Sequence, residues 1–148
     1  MIRLEIEALN AEFAYRIDHD LSDQVAELFT EEGSYGRSSS GGGARSVGRD
    51  AIRRAYAARA ERGDRTARHI FTNLRLCYES ETRVTGTCIL LLFADDGLPP
   101  LPAEPNLVSD YEDIYERGDD GVWRYASRTV THLFLHRDHK PVVLPLGK

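Results

Sequence analysis

At 148 residues the chain is near the commonest single-domain length, so one hydrophobic core is expected and two would each be undersized. Its 41% apolar and 29% charged residues exclude wholesale disorder, and 19 basic against 24 acidic side chains leave a net charge of −5 with no basic tract to hold nucleic acid. The longest apolar run, Cys88 to Ala94, falls short of a membrane span, the start Met1-Ile-Arg-Leu-Glu5 lacks a signal-peptide core, and two cysteines make no disulfide framework; a reduced, cytoplasmic protein with no membrane partner is expected.

Ile2, Ile6, Leu9, Phe13 and Ile17 recur at steps of four, three, four and four, which predicts an amphipathic helix ending near Asp18. After polar Asp18-His19-Asp20, Ser22 stands where a cap belongs for a short second helix presenting Val25, Leu28 and Phe29. A short strand is expected around 34–37. A mobile loop should follow, because Ser38-Ser-Ser-Gly-Gly-Gly43 has few side chains to pack. Arg49 to Arg62 is dense in strong helix formers and stops at Gly63, which predicts a third helix.

From His69 the period changes to two. His69, Phe71, Asn73, Arg75 and Cys77 fall on one side of a strand, and Ile70, Thr72, Leu74, Leu76 and Tyr78 on the other. A polar turn at 79–82 returns the chain as a strand from Val84 to Ala94, and the prolines of Asp95 to Pro105 break it. Two more strands, Leu107 to Arg117 and Val122 to Leu135, are joined by the turn Gly118-Asp-Asp-Gly121. The order α-α-β-α-β-β-β-β implies an α+β fold in which helices cover one face of a curved antiparallel sheet, leaving a cavity at its open end. Residues 1–135 form this single domain, and 136–148, with Val142, Val143, Leu144 and Leu146, read as an extended tail.

Several motifs, in this order, resemble the SnoaL-like branch of the nuclear transport factor 2-like superfamily, which includes polyketide cyclases, scytalone dehydratase and bile-acid dehydratases. They are Tyr15-Arg-Ile-Asp18, Val25-Ala-Glu-Leu-Phe29, Gly48-Arg-Asp-Ala-Ile52, Arg68-His-Ile-Phe-Thr-Asn73, Tyr111-Glu-Asp113, and Gly121-Val-Trp-Arg124 with Arg128. The resemblance covers about Leu4 to Leu135. It implies a cone formed by a strongly curved sheet around the helices, an apolar pocket inside, and a homodimer. The sequence departs from the family's usual pattern in Ser38 to Gly43 and in Asp20, which is displaced relative to a commoner second aspartate.

In catalytically active relatives an aspartate ending the first helix and a histidine beginning the first long strand form an acid/base pair beside a tyrosine. The resemblance therefore implies catalytic Asp18, His69 and Tyr15. The spacing is compatible, since Tyr15 and Asp18 are three residues apart on one helical face, and Asp and His can each take and give a proton. Phe71 and Asn73 share the side of His69. Asn73 is suited to bond a ligand carbonyl or a backbone group. Tyr111, Asp113 and Tyr115 share one strand face that suits a ligand pocket or a half-buried sheet, and Tyr35 is added to the expected ligand-binding set.

No metal or other cofactor is expected. His132, His136 and His139 are spaced for a helix but lie in strand and tail. The Gly-rich loop is not a phosphate cradle, because no Gly-Lys-Ser/Thr follows it, and no strand-to-helix elbow supports a serine nucleophile. The expected function is a cofactor-independent lyase or isomerase that dehydrates, isomerises or cyclises a small, apolar, oxygenated molecule by proton transfer. The alternatives are a carrier with the same cavity, or a structural subunit resembling the small subunit of aromatic ring-hydroxylating dioxygenases.

Overall fold

Helix α1 spans Ile2–Asp18 in the computed structural model, which describes residues 1–138. Its buried face carries Ile6, Leu9 and Phe13, as the spacing predicts, and also Asn10. That amide is satisfied: its oxygen accepts from the Tyr125 hydroxyl at 2.6 Å, and its nitrogen donates to the Tyr115 hydroxyl at 3.5 Å. Ser22–Leu28 is a 3-10 helix burying Val25, Ala26 and Leu28. Phe29, expected to belong to it, instead opens strand β1, Phe29–Arg37.

The Gly/Ser stretch is more ordered than its composition predicts. Ser39–Gly41 is a single 3-10 turn, Ser38 donates its backbone N–H to Val130 O at 2.9 Å, and Arg37 donates to Ala44 O at 3.0 Å. Backbone hydrogen bonds do there what absent side chains cannot. They lead into β2, Arg45–Val47, a three-residue strand antiparallel to β1. Gly36 makes this pairing possible: a Cβ there would lie 2.3 Å from Ala44 O and 2.6 Å from Arg45 Cα, so only glycine admits β2 so close. Helix α2, Arg49–Ala60, buries Ile52, Ala55 and Tyr56.

Four long strands complete the sheet: β3 Arg65–Tyr78, β4 Arg83–Asp96, β5 Leu107–Arg117 and β6 Trp123–Leu135. The order is β2-β1-β6-β5-β4-β3, antiparallel except where β1 runs parallel to β6. Helix α1 packs on β3 and β6, and α2 packs on β1 and the 3-10 helix. Between helices and sheet lies an aromatic core in which Phe13 meets Phe29, Tyr35, Tyr56, Phe71 and Tyr125 at centroid distances of 5.7–6.3 Å.

Strand β3 does not keep one alternation throughout. Its pairing with β4 shifts between Thr72 and Arg75, and Asn73 adopts a left-handed backbone, φ 56°. This bulge exchanges the two faces. Phe71 is half-buried before it, whereas Leu74 and Leu76 pack on the core after it and Arg75 and Cys77 are exposed. Strand β6 ends at Leu135, and most of the predicted tail, residues 139–148, lies outside the described residues. Among the described residues no helix is long and apolar enough to cross a membrane.

Candidate active site

Asp18 ends α1 and His69 lies near the start of β3, and the packing of α1 across β3 brings them into contact. Asp18 Oδ1 is 2.6 Å from His69 Nδ1, and Asp18 Oδ2 accepts the His69 backbone N–H at 2.9 Å. The side chains are 4% and 9% exposed. A carboxylate has no hydrogen to donate, so the shared proton belongs to Nδ1 and Nε2 is the nitrogen left for another partner. Two hydrogen bonds from one residue to both oxygens of the other fix the imidazole's position and its tautomer together.

Both residues line a cavity of about 640 Å³, a volume suited to a small organic molecule. Its apolar wall comes from Ile17, Ala67, Leu90, Leu92, Leu107 and Val130. Leu90 and Leu92 alternate with outward Leu91, so the period of two in β4 builds this wall directly. The segment after β4 closes one side with Leu98 and Pro99. Asn106 anchors its far end, accepting the Ala94 backbone N–H and donating to Ala94 O at 2.6 Å.

Tyr35 and Tyr111 also line the cavity, from β1 and β5, with their hydroxyls 3.3 Å apart. Burial, reinforced by Tyr35, pushes the Tyr111 hydroxyl well above its usual range, so it acts as a neutral hydrogen-bond donor and not as a base. The remaining expected site residues stand elsewhere. Tyr15 is 52% exposed and stacks on His19, with centroids 4.0 Å apart and planes at 18°. It follows Phe13 by two residues, about 200° around the helix, which turns it away from the core. Asn73 is exposed because it forms the bulge. Phe71 stands behind the cavity wall, edge-on to Tyr111 at 5.1 Å.

Asp113 is also behind the wall, in an ion pair with Arg128 in which both side chains are 0% exposed. Arg128 Nε donates to Oδ1 at 2.9 Å and Nη2 to Oδ2 at 3.0 Å, and the Tyr115 hydroxyl adds a third bond at 2.8 Å. Rings of Tyr125, Phe13, Tyr111 and Phe71 surround the guanidinium at 4.1–4.9 Å. Burial pushes the Asp113 carboxyl up and Arg128 pulls it down, while Arg128, opposed by burial and favoured by Asp113, stays charged. This pair supports Tyr111 from behind.

Two features of the cavity lie outside the expected set of site residues. His132 lines it with Nδ1 2.7 Å from Ser109 Oγ, whereas His136 pairs with Glu104 at 3.5 Å and His139 lies outside the described residues. Alternation in β5 and β6 places Ser109 opposite His132, a pairing visible once the register is known. The second is a group of arginines from β1, β2, α2 and β3; the four at 59, 62, 65 and 68 recur every third residue across the helix-to-strand junction, which is the pattern that marks them.

A family model described as a SnoaL-like domain matches residues 2–129. No curated protein matches the chain significantly. Among solved structures, a Novosphingobium aromaticivorans protein assigned provisionally as a scytalone dehydratase superposes with a TM-score of 0.79 at 20% identity, over 99% of this chain and 93% of that one. ActVI-ORFA from Streptomyces coelicolor gives a TM-score of 0.76 at 23% identity, over 88% and 96%. A Catenulispora acidiphila protein in complex with S-DNPA gives 0.71 at 26% identity, over 88% and 92%.

Proposed function

Because the chain belongs to the SnoaL-like domain family, we propose that it is a cofactor-independent enzyme that dehydrates, isomerises or cyclises a small oxygenated molecule by proton transfer. The contact between Asp18 and His69 at 2.6 Å, on the wall of an apolar cavity, carries this reading. In it, His69 Nε2 removes a proton from carbon adjacent to a substrate carbonyl, and the imidazolium that forms is stabilised by Asp18. Hydroxyl donors from the Tyr35 and Tyr111 pair meet the negative charge that grows on the carbonyl oxygen. In a dehydration the imidazolium returns its proton to the departing β-hydroxyl, which leaves as water; in an isomerisation it returns the proton to another carbon.

The test is proton exchange, which needs no knowledge of the physiological substrate. A panel of β-hydroxy ketones is incubated with the protein in heavy water, and loss of the proton next to the carbonyl is followed by NMR. The wild type accelerates exchange, and His69→Ala or Asp18→Asn slows it by about 10²–10⁴-fold. Exchange at near wild-type rate in both variants removes the proposal. A metabolite retained by the native protein and released unaltered, with no exchange on any ketone, favours the carrier instead.

A further inference from the structure

Six arginines line the cavity, Arg37, Arg45, Arg59, Arg62, Arg65 and Arg68, against three aspartates, Asp18, Asp20 and Asp64. The excess is positive in a chain whose net charge is −5, so it is a property of the cavity and not of the protein. Some of this charge has a structural use. Arg65 pairs with Asp96 at 2.9 Å, and Arg45 donates to Ser34, Ser127 and Thr129 hydroxyls and to Arg128 O. Arg68 donates to Ala67 O at 2.7 Å. Asp18 is already held by His69.

Arg37, Arg59 and Arg62 have no carboxylate partner among the described residues. Arg59 is the one of these three with a buried, unpartnered nitrogen. Its Nε is buried without a hydrogen-bond partner, and its guanidinium sits 4.7 Å from the centroid of the buried Tyr56 ring. Arg62 follows at the helix end, its backbone N–H bonded to Arg59 O at 3.2 Å, and its side chain is exposed. The helix dipole favours positive charge at this end of α2, but it does not satisfy a buried N–H. A buried donor left unpaired costs free energy, and a planar guanidinium is shaped to meet a carboxylate.

Resting on the proton-transfer reading above, we propose that the substrate is an organic acid whose carboxylate is held by Arg59, with Arg37 and Arg62, while its apolar body fills the cavity towards His69. The test compares an unreactive acid with its neutral ester. Binding of naphthoate and methyl naphthoate to the full-length protein is measured by titration calorimetry at neutral pH. The acid is expected to bind about tenfold or more tightly than the ester, and Arg59→Gln to remove that preference while leaving ester affinity unchanged. Arg37→Gln gives a second reading of the same preference, and the wild-type comparison needs no variant. Equal affinities in the wild type, no binding of naphthoate, or an equal loss for both ligands in Arg59→Gln overturns the proposal. Neither ligand undergoes proton exchange, so loss of acid preference leaves the catalytic reading standing, and loss of exchange leaves the acid preference standing.

Discussion

The ion pair between Asp113 and Arg128 sets up a contrast between two substitutions that interrupt the same contact. Asp113→Asn leaves a buried guanidinium without its counter-charge, a change that costs about 3–5 kcal/mol. Four aromatic rings at 4.1–4.9 Å still face the cation, and each retains some attraction for it, so the lower end, about 3 kcal/mol, is expected. Because an arginine does not titrate in the accessible range, this loss is constant wherever Asp113 of the wild type is ionised, and it shrinks in acid once that carboxyl is protonated. Arg128→Met instead strands Asp113, whose carboxyl burial already pushes up from 3.8. A carboxyl with a raised folded-state pKa contributes stability that is present below its unfolded pKa and lost as pH rises through the folded one. Arg128→Met should therefore approach wild-type stability in acid and weaken as pH climbs above the ordinary carboxylate range. Urea midpoints at fixed protein concentration and unchanged m-value measure both effects. Losses below about 1 kcal/mol in both variants, or a pH-independent Arg128→Met, would refute this account of the pair.

At Asn73 the left-handed backbone decides the outcome: Asn73→Gly should be neutral or stabilising, while Asn73→Val should cost about 1–2 kcal/mol by urea unfolding. Equal midpoints would mean that the bulge is not held in that conformation. We also propose that two copies pair through the outer sheet face. There Ile70, Leu91, Val108 and Phe134 lie opposite one another across β3 to β6, and Ile70 and Phe134 are 45% and 69% exposed. Sedimentation at micromolar concentration should give a dimer that Phe134→Asp shifts towards monomer; a wild-type monomer contradicts the pairing.

What could be read from the chain was whatever a single period or a family motif encodes. The stripe from Ile6 to Phe13 becomes the buried face of α1, and the strand expected from Val84 to Ala94 supplies the cavity wall through Leu90 and Leu92, although its unbroken apolar run does not show which side chains face inward. Asp18 and His69, 51 residues apart, were linked only through the family resemblance, and the structure joins them. Local spacing was misleading where tertiary geometry overrides it. Tyr15 shares a side with Asp18 on a helical wheel, yet the inward direction is set by Phe13, so Tyr15 stacks outside on His19 while Asp18 is held by His69. Asn73 reverses the strand alternation through one left-handed residue that no period reveals. The three-residue β2 is too short to show a pattern and depends on Gly36 yielding space to Ala44 and Arg45. Asp113 read as a wall residue because nothing in the sequence marks Arg128 as its partner behind the wall.

The catalytic proposal rests on the state of one imidazole, which nitrogen-15 NMR of the free protein reads without any substrate. At mildly alkaline pH, His69 should be the tautomer with the proton on Nδ1, its signal shifted by the short bond to Asp18, and Asp18→Asn should abolish that shift. An imidazole averaging between tautomers like one free in solution, or carrying its proton on Nε2, would contradict it.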